Sequence, residues 1–113
     1  MTVAAAIAER IIDKVLVLDL PDTIHQEPLH RAAAGVSGRG LSGLLINMSS
    51  VSFIESSGLG TLVAAFKTCQ ESGVPMAITG IQPYVQKLVA ITKLDRILKV
   101  FATEADALAY LSQ

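Results

Sequence analysis

The sequence predicts an α/β fold: a single domain over residues 1–113 in which a mixed, mostly parallel sheet of about five strands is packed by about four helices. Three observations carry this expectation. Short apolar runs alternate with amphipathic stretches along the chain, the pattern of strands that cross over through helices to a parallel neighbour. The run Leu44-Leu45-Ile46 is apolar without alternation, as a strand covered on both faces must be. A length of 113 residues suits one domain, which at that size buries about two thirds of the surface exposed by its unfolded form.

In chain order, Val3 to Glu9 and Lys14 to Leu20 read as the first two strands. The short link Arg10 to Asp13 predicts that these two run antiparallel at one edge of the sheet. Pro21 and Asp22 end the second strand. Pro28 fits the first turn of a helix, where its missing N–H has no partner to lose, and Leu29, Ala32, Ala33 and Val36 share a face until Gly38 and Gly40 stop it. After the central strand, Asn47 to Glu55 leads to a second helix from Ser57 or Gly58 to about Glu71, with Leu59, Leu62, Val63, Phe66 and Cys69 on one stripe. Gly73 closes that helix, and Met76 to Thr79 forms a fourth strand. A helix from Pro83 to about Thr92 turns Val85, Leu88 and Val89 inward, and Ile97 to Phe101 is the fifth strand. The last helix starts near Thr103, capped with Asp106 three residues on, and is expected to bury Ala105, Leu108 and Leu111.

Composition narrows the partners. The chain is 51% hydrophobic and only 17% charged, against about 25% charged in soluble domains, so apolar surface is left for a protein partner, a homodimer or a larger assembly. A formal net charge of −1 supplies no basic field for nucleic acid or anionic lipid. Cys69 is the only cysteine, which excludes an intramolecular disulfide and a thiolate cage and suits a reducing, cytoplasmic compartment. The apolar run Val3 to Ala8 is short and meets Glu9 and Arg10 at once, unlike a signal peptide, and no stretch reaches the roughly 20 apolar residues of a membrane span.

The segment Phe53-Ile54-Glu55-Ser56-Ser57-Gly58-Leu59-Gly60 is the least ordinary, because hydroxyl and glycine residues cluster where a buried strand hands over to a helix. Function in α/β sheets concentrates at such turns. A purely structural reading is also available: Ser57 caps the helix, and the two glycines permit close packing.

An acidic residue, two hydroxyl residues and Gly-Leu-Gly, following the strand Leu44-Leu45-Ile46-Asn47-Met48, resemble the phosphorylation loop of the STAS family, in particular its anti-sigma factor antagonists. The likeness runs on through Thr61 to Glu71, the Gly73-Val74-Pro75-Met76 strand entry and the stretch Leu88 to Ile97, and is weakest at the N-terminal end. It implies that Ser56, directly after the acidic residue, is the phosphate acceptor, with Ser57 as the alternate. A serine at a helix N-terminus suits this role, since free backbone N–H groups and the helix dipole hold the product. The phosphate adds about −1.5 to −2 charges, which penalises a docked partner.

By the same resemblance, the partners are an anti-sigma factor serine kinase, which the dephosphorylated chain binds so that a sigma factor is freed, and a serine phosphatase that resets it. The docking surface is expected at Glu55, Ser56, Ser57, Gly58, Leu59, Gly60 and Thr61, on the exposed side of the second helix with Lys67 and Gln70, and at Asp22. Two positions depart from the family pattern: Glu55 and Asn47 stand where aspartate is usual. Asn47 also reads as a strand-end hydrogen bonder, and Asp22 as a turn former.

No enzyme is expected. Ser56 lacks the first glycine of a G-x-S-x-G elbow, and His25 and His30 match no metal motif. Gly58-Leu59-Gly60 has Val63 where a dinucleotide loop needs its third glycine. No cofactor or metal follows from these residues, and a kinase brings its own ATP and magnesium. The alternative is a non-phosphorylated scaffold subunit of a signalling or transporter-associated complex. A small-ligand sensor stands as a further alternative with no residue pointing to it.

Overall fold

The computed structural model describes residues 7–22 and 26–112. The first strand, β1, covers Ala8–Ile12 and pairs antiparallel with β2, Val15–Asp19. The expected strand over Val3 to Glu9 is therefore displaced toward the C-terminus, and its residues 3–6 lie outside the described part. The turn falls on Asp13 and Lys14, both with positive φ (49° and 68°), and not on the expected link Arg10 to Asp13. This is the twist that a two-residue hairpin requires. Arg10 and the two isoleucines after it thereby become paired strand residues.

From β2 onward every neighbour is parallel. After helix α1 (Gln26–Gly35) and a short 3-10 turn at Ser37–Arg39 come β3 (Gly43–Asn47), α2 (Ser56–Glu71), β4 (Met76–Thr79) and α3 (Pro83–Ile91). A second 3-10 turn at Leu94–Arg96, β5 (Lys99–Phe101) and α4 (Glu104–Leu111) complete the chain. The sheet order is β1-β2-β3-β4-β5. Parallel crossovers have one preferred hand, so strands laid down in sequential order send their connecting helices to the same side.

That asymmetry is visible in the core. One apolar cluster joins Leu16, Leu18, Leu44, Ile46 and Ile78 to residues of α1, α2 and α3, including Leu29, Leu62 and Val85. The other sheet face, with Val15, Val17, Leu45 and Ala77, is covered by Ala107 and Leu111 of α4. Leu44, Leu45 and Ile46 are each fully buried, which is why the central strand reads as unbroken apolar sequence.

Several local expectations hold. Gly73 takes φ +71° just beyond α2, and the Thr103 side chain accepts from the Asp106 N–H at 3.1 Å to cap α4. Leu29, Ala33 and Val36 are buried as expected, as are Val85 and Val89. Cys69 lies in the core, and burial pushes its thiol up to about 11. One phase differs: Ala105 is exposed and Ala107 is buried instead. Ala107 and Leu111 are one helical turn apart, so they set the inward face of α4.

Among the described residues, no helix is long and apolar enough to cross a membrane.

Candidate functional site

Residues 48–55 lead from the C-terminal end of β3 to the start of α2. Three buried apolar side chains, Met48, Val51 and Ile54, root this segment in the core. Its entry is fixed by hydrogen bonds. The Met48 N–H donates to the Thr79 carbonyl at 2.9 Å, and the Val51 N–H donates to the Met48 carbonyl at 3.0 Å, closing a turn.

Ser49 is held from two sides: its N–H donates to Asn47 Oδ1 at 3.1 Å, and its carbonyl accepts from Gln82 Nε2 at 2.7 Å. Gly80, at φ +74°, makes room for this junction. A Cβ there would stand 2.8 Å from Asn47 Oδ1 and 3.0 Å from the Ser49 nitrogen. Asn47 is thus a strand-end hydrogen bonder, and it has a second function as the side chain from which the loop hangs.

Asn47 is itself anchored. Its Nδ2 donates to Asp19 Oδ1 at 2.7 Å, and Asp19 receives a two-pronged contact from Arg10, Nε to Oδ2 at 2.7 Å and Nη2 to Oδ1 at 2.8 Å. Arg10 reaches on to Glu104 Oε1 at 2.7 Å, at the first turn of α4. Arg10 holds the Asp19 carboxyl below the usual carboxylate range; partial burial opposes this and the Asn47 bond adds to it.

The helix opens directly after this loop. Glu55 is the N-cap residue, with extended backbone (φ −90°, ψ 167°) and no capping bond from its side chain. The first i to i−4 bond runs from the Leu59 N–H to the Glu55 carbonyl at 3.1 Å. Ser56 and Ser57 are the first two helical residues, and both are exposed. The expectation that Ser57 caps the helix is corrected: the cap is Glu55, two residues earlier, because Glu55 is the last extended residue after the buried Ile54. The Ser57 carbonyl instead accepts the Thr61 hydroxyl at 2.9 Å.

Along α2 the expected residues divide. Glu55, Gly60, Lys67 and Gln70 are exposed, while Gly58 and Leu59 are buried. Thr61, expected on the outer side, is only 7% exposed. It belongs to the inward stripe of Gly58, Leu62, Ala65 and Cys69, and its hydroxyl is satisfied by the preceding turn. Val63 and Phe66, assigned to the core stripe, are only half-buried.

A cleft of about 260 Å³ opens beside the helix start, lined by Asp22, Ser52, Phe53, Glu55 and Ser57 among others. Asp22 is exposed, and its Oδ1 lies 3.4 Å from the Ser52 hydroxyl, so the structure brings it against the loop that precedes Ser56. Among the described residues, no group of three His, Cys, Asp or Glu side chains is placed to hold a metal ion.

Sequence reasoning missed three contributors: Gln82, the Arg10–Asp19 pair and Tyr84, which stacks on Phe53 with ring centroids 5.1 Å apart. All are distant in sequence from Ser56. Only the polar residue before the helix-starting Pro83 hinted at a role for that corner.

The fold recurs in known proteins. The chain is 28% identical over 68 residues to the anti-sigma F factor antagonist of Paenibacillus polymyxa, a match spanning 60% of this chain and 58% of that protein's length. The protein TM1081 of Thermotoga maritima superimposes with a TM-score of 0.81 at 24% identity, over 100% of this chain and 94% of that one. The unphosphorylated form of SpoIIAA, an anti-sigma factor antagonist of Bacillus, gives a TM-score of 0.71 at 18% identity, over 95% and 96% of the two chains. The family model of the STAS domain matches residues 2–107, and the chain belongs to the STAS domain family.

Proposed function

We propose that the chain is a cytoplasmic anti-sigma factor antagonist, a partner-switching protein whose docking surface surrounds Ser56 and is turned off by phosphorylation there. The observation that carries the reading is the exposure of Ser56 as the first helical residue behind an N-cap that spends no side chain on the helix end. The first-turn N–H groups of α2 are thus free of a side-chain cap and stand at the positive end of the helix dipole, where a phosphate dianion is stabilised without rearrangement.

In this cycle the unmodified chain binds an anti-sigma factor serine kinase and displaces the sigma factor held by it. Transfer of the γ-phosphoryl group from ATP to the Ser56 oxygen releases ADP and the partner, and a serine phosphatase hydrolyses the ester to restore the hydroxyl. The chain is the acceptor and contributes no catalytic group. SpoIIAA, which shares the fold, has been solved in unphosphorylated and phosphorylated forms, in keeping with a fold that accommodates the modification. Glu55, Ser57, Gly60 and Asp22 form the accessible part of the proposed dock, and Lys67 and Gln70 extend it along α2. Gly58, Leu59 and Thr61 lie beneath it and set its shape.

The test is incubation with the cognate kinase and ATP–Mg²⁺ followed by intact mass. One added phosphate that disappears in Ser56→Ala supports the reading. Phosphate retained in Ser56→Ala but lost in Ser57→Ala moves the acceptor to Ser57. No phosphate from any anti-sigma factor kinase of the source organism leaves the chain a non-phosphorylated scaffold subunit of a signalling or transporter-associated complex.

A further inference from the structure

Among the side chains lining the cleft beside Ser56, Phe53 is the one large apolar group left exposed. Phe53, in the loop ahead of α2, stacks on Tyr84 in the first turn of α3, the ring planes 20° apart, and both rings remain open to solvent at 56% and 45% exposure. An exposed stack of this kind orders the two rings and still leaves much apolar area in water. Under a partner, aromatic side chains of this type become the anchors that dominate protein interfaces.

The pair is also built on a fixed base. The next residue in each segment, Ile54 and Val85, is buried. Gln82 and Asn47 hold the backbone of Ser49 from two sides, and the missing side chain of Gly80 lets the two segments meet. Little ordering entropy is therefore lost when the rings are covered.

Position then selects the occupant. Among the described residues the other exposed large apolar side chains are Ile11, Ile91, Ile97 and Val100. They lie on edge strand β1, at or beyond the far end of α3, and on edge strand β5; none belongs to the loop that precedes Ser56. Phe53 alone shares a cleft with Glu55 and Ser57, the two neighbours of Ser56.

We propose that the Phe53–Tyr84 stack is the apolar anchor by which the kinase acting on Ser56 grips this chain, seated in an apolar hollow of that kinase. The proposal rests on the function proposed above and specifies how its partner is recognised. A kinase that brings a γ-phosphate within transfer distance of the Ser56 oxygen also covers the ring on the adjoining cleft wall. The anchor in turn explains the leverage of a single phosphate. Burying the rings expels water from around Ser56, and a dianion at the margin of a dry apolar contact suffers a desolvation penalty that a wet polar contact does not impose.

The experiment titrates the full chain with each purified anti-sigma factor serine kinase of the source organism in ADP–Mg²⁺, then measures phosphorylation in ATP–Mg²⁺. Wild type, Phe53→Ala, Tyr84→Ala, the double variant and the conservative pair Phe53→Tyr with Tyr84→Phe are compared, with thermal melts as the folding control. The double variant is expected to weaken kinase binding roughly 10-fold or more and to raise KM while kcat is kept; the conservative pair retains wild-type affinity. The single alanine variants carry the comparison if the double variant melts early.

Equal affinity and KM in wild type and the alanine variants overturn the anchor while leaving phosphorylation of Ser56 standing. Binding of no kinase to wild type, with no phosphate added, removes the switch and the anchor together. If the alanine variants instead turn a wild-type dimer into a monomer in sedimentation and leave kinase affinity unchanged, the stack is a self-association face and the proposal fails.

Discussion

Asn47 donates from Nδ2 to Asp19 Oδ1 at 2.7 Å, while its own Oδ1 receives the Ser49 N–H at 3.1 Å. One amide thus ties the end of β2 to the loop that leads to Ser56. The amide is required in this orientation because only Asn presents a donor to the carboxylate and an acceptor to the backbone at the same time.

Asn47→Asp therefore sets two carboxylates face to face. The expected outcome is a loss of about 1–3 kcal/mol at pH 7, with one carboxyl of the pair raised above its ordinary value. A raised folded-state value makes the loss greatest at high pH and relieves it as pH falls through that value. Asp19→Asn combined with Asn47→Asp restores a donor–acceptor pair and recovers part of the stability. Urea titrations of the variants between pH 4 and 8 check all three statements.

Asp19 itself is held below the usual carboxylate range, first by the Arg10 hydrogen bonds. A depressed folded-state value contributes stability that is fully present above the unfolded value of about 3.9 and is lost as pH falls toward the folded one. Wild type should exceed Asp19→Asn by about 1 kcal/mol through the neutral range, with the gap closing below about pH 4. A gap that stays constant down to pH 2.5 counts against the pairing.

Leu62 is fully buried, whereas Phe66 is half-buried. Leu62→Ala should cost about 2–5 kcal/mol through the cavity left behind. Phe66→Ala, which removes a ring already partly in water, should cost about half as much. Equal losses in chemical denaturation would contradict the helix orientation.

Two glycines of the site region respond in opposite directions. Gly80→Ala forces a Cβ against Asn47 and Ser49 at positive φ and should destabilise by about 1–3 kcal/mol. Gly60, in α2, has open space within 4 Å of where a methyl group would stand, and it should gain about 0.5–1 kcal/mol as alanine. Hydrogen exchange across residues 48–57 should accelerate in the first variant and stay unchanged in the second.

Ser56→Asp separates docking from folding. A negative charge in the first turn of α2 is favourable to the helix by about 0.3–1 kcal/mol, so the melting temperature should hold or rise slightly. Kinase affinity should fall, and Ser56→Ala should keep it. Equal affinities of the two variants in a titration would remove the electrostatic basis of the switch.

How much of this was legible in the sequence follows from the range of each interaction. Leu44 to Ile46, the Thr103–Asp106 cap and the Gly73 stop rest on neighbours within one strand or one helical turn, and they were found where expected. The hairpin slipped because the alanine-rich run before Glu9 carries apolarity without register. The pairing is fixed by Ile12 opposite Val15 and by the turn at Asp13 and Lys14. Thr61 was misplaced because a threonine reads as a surface residue until the helix is rotated against the sheet. Ala105 and Ala107 differ in nothing but position, so only docking of α4 on β3 and β4 distinguishes them.

At the candidate site the division is sharper. The hydroxyl and glycine cluster of residues 53–60 stood out by local chemistry, and the resemblance to the STAS family singled out Ser56 within it. Its support did not: Asp19 and Arg10 arrive from other strands, Gln82 and Tyr84 from the start of α3, and Arg10 meets Glu104 from 94 positions away.

By itself, the sequence determined the alternation of strand and helix, the buried central strand and a hydroxyl cluster at a helix start, because periodicity and capping act over a few residues. Tertiary structure alone decided which serine heads α2, which residues hold its loop and which rings stand exposed beside it. Those outcomes depend on parallel strands bringing their C-terminal ends to one edge of the sheet, a closure between distant segments that no local pattern encodes.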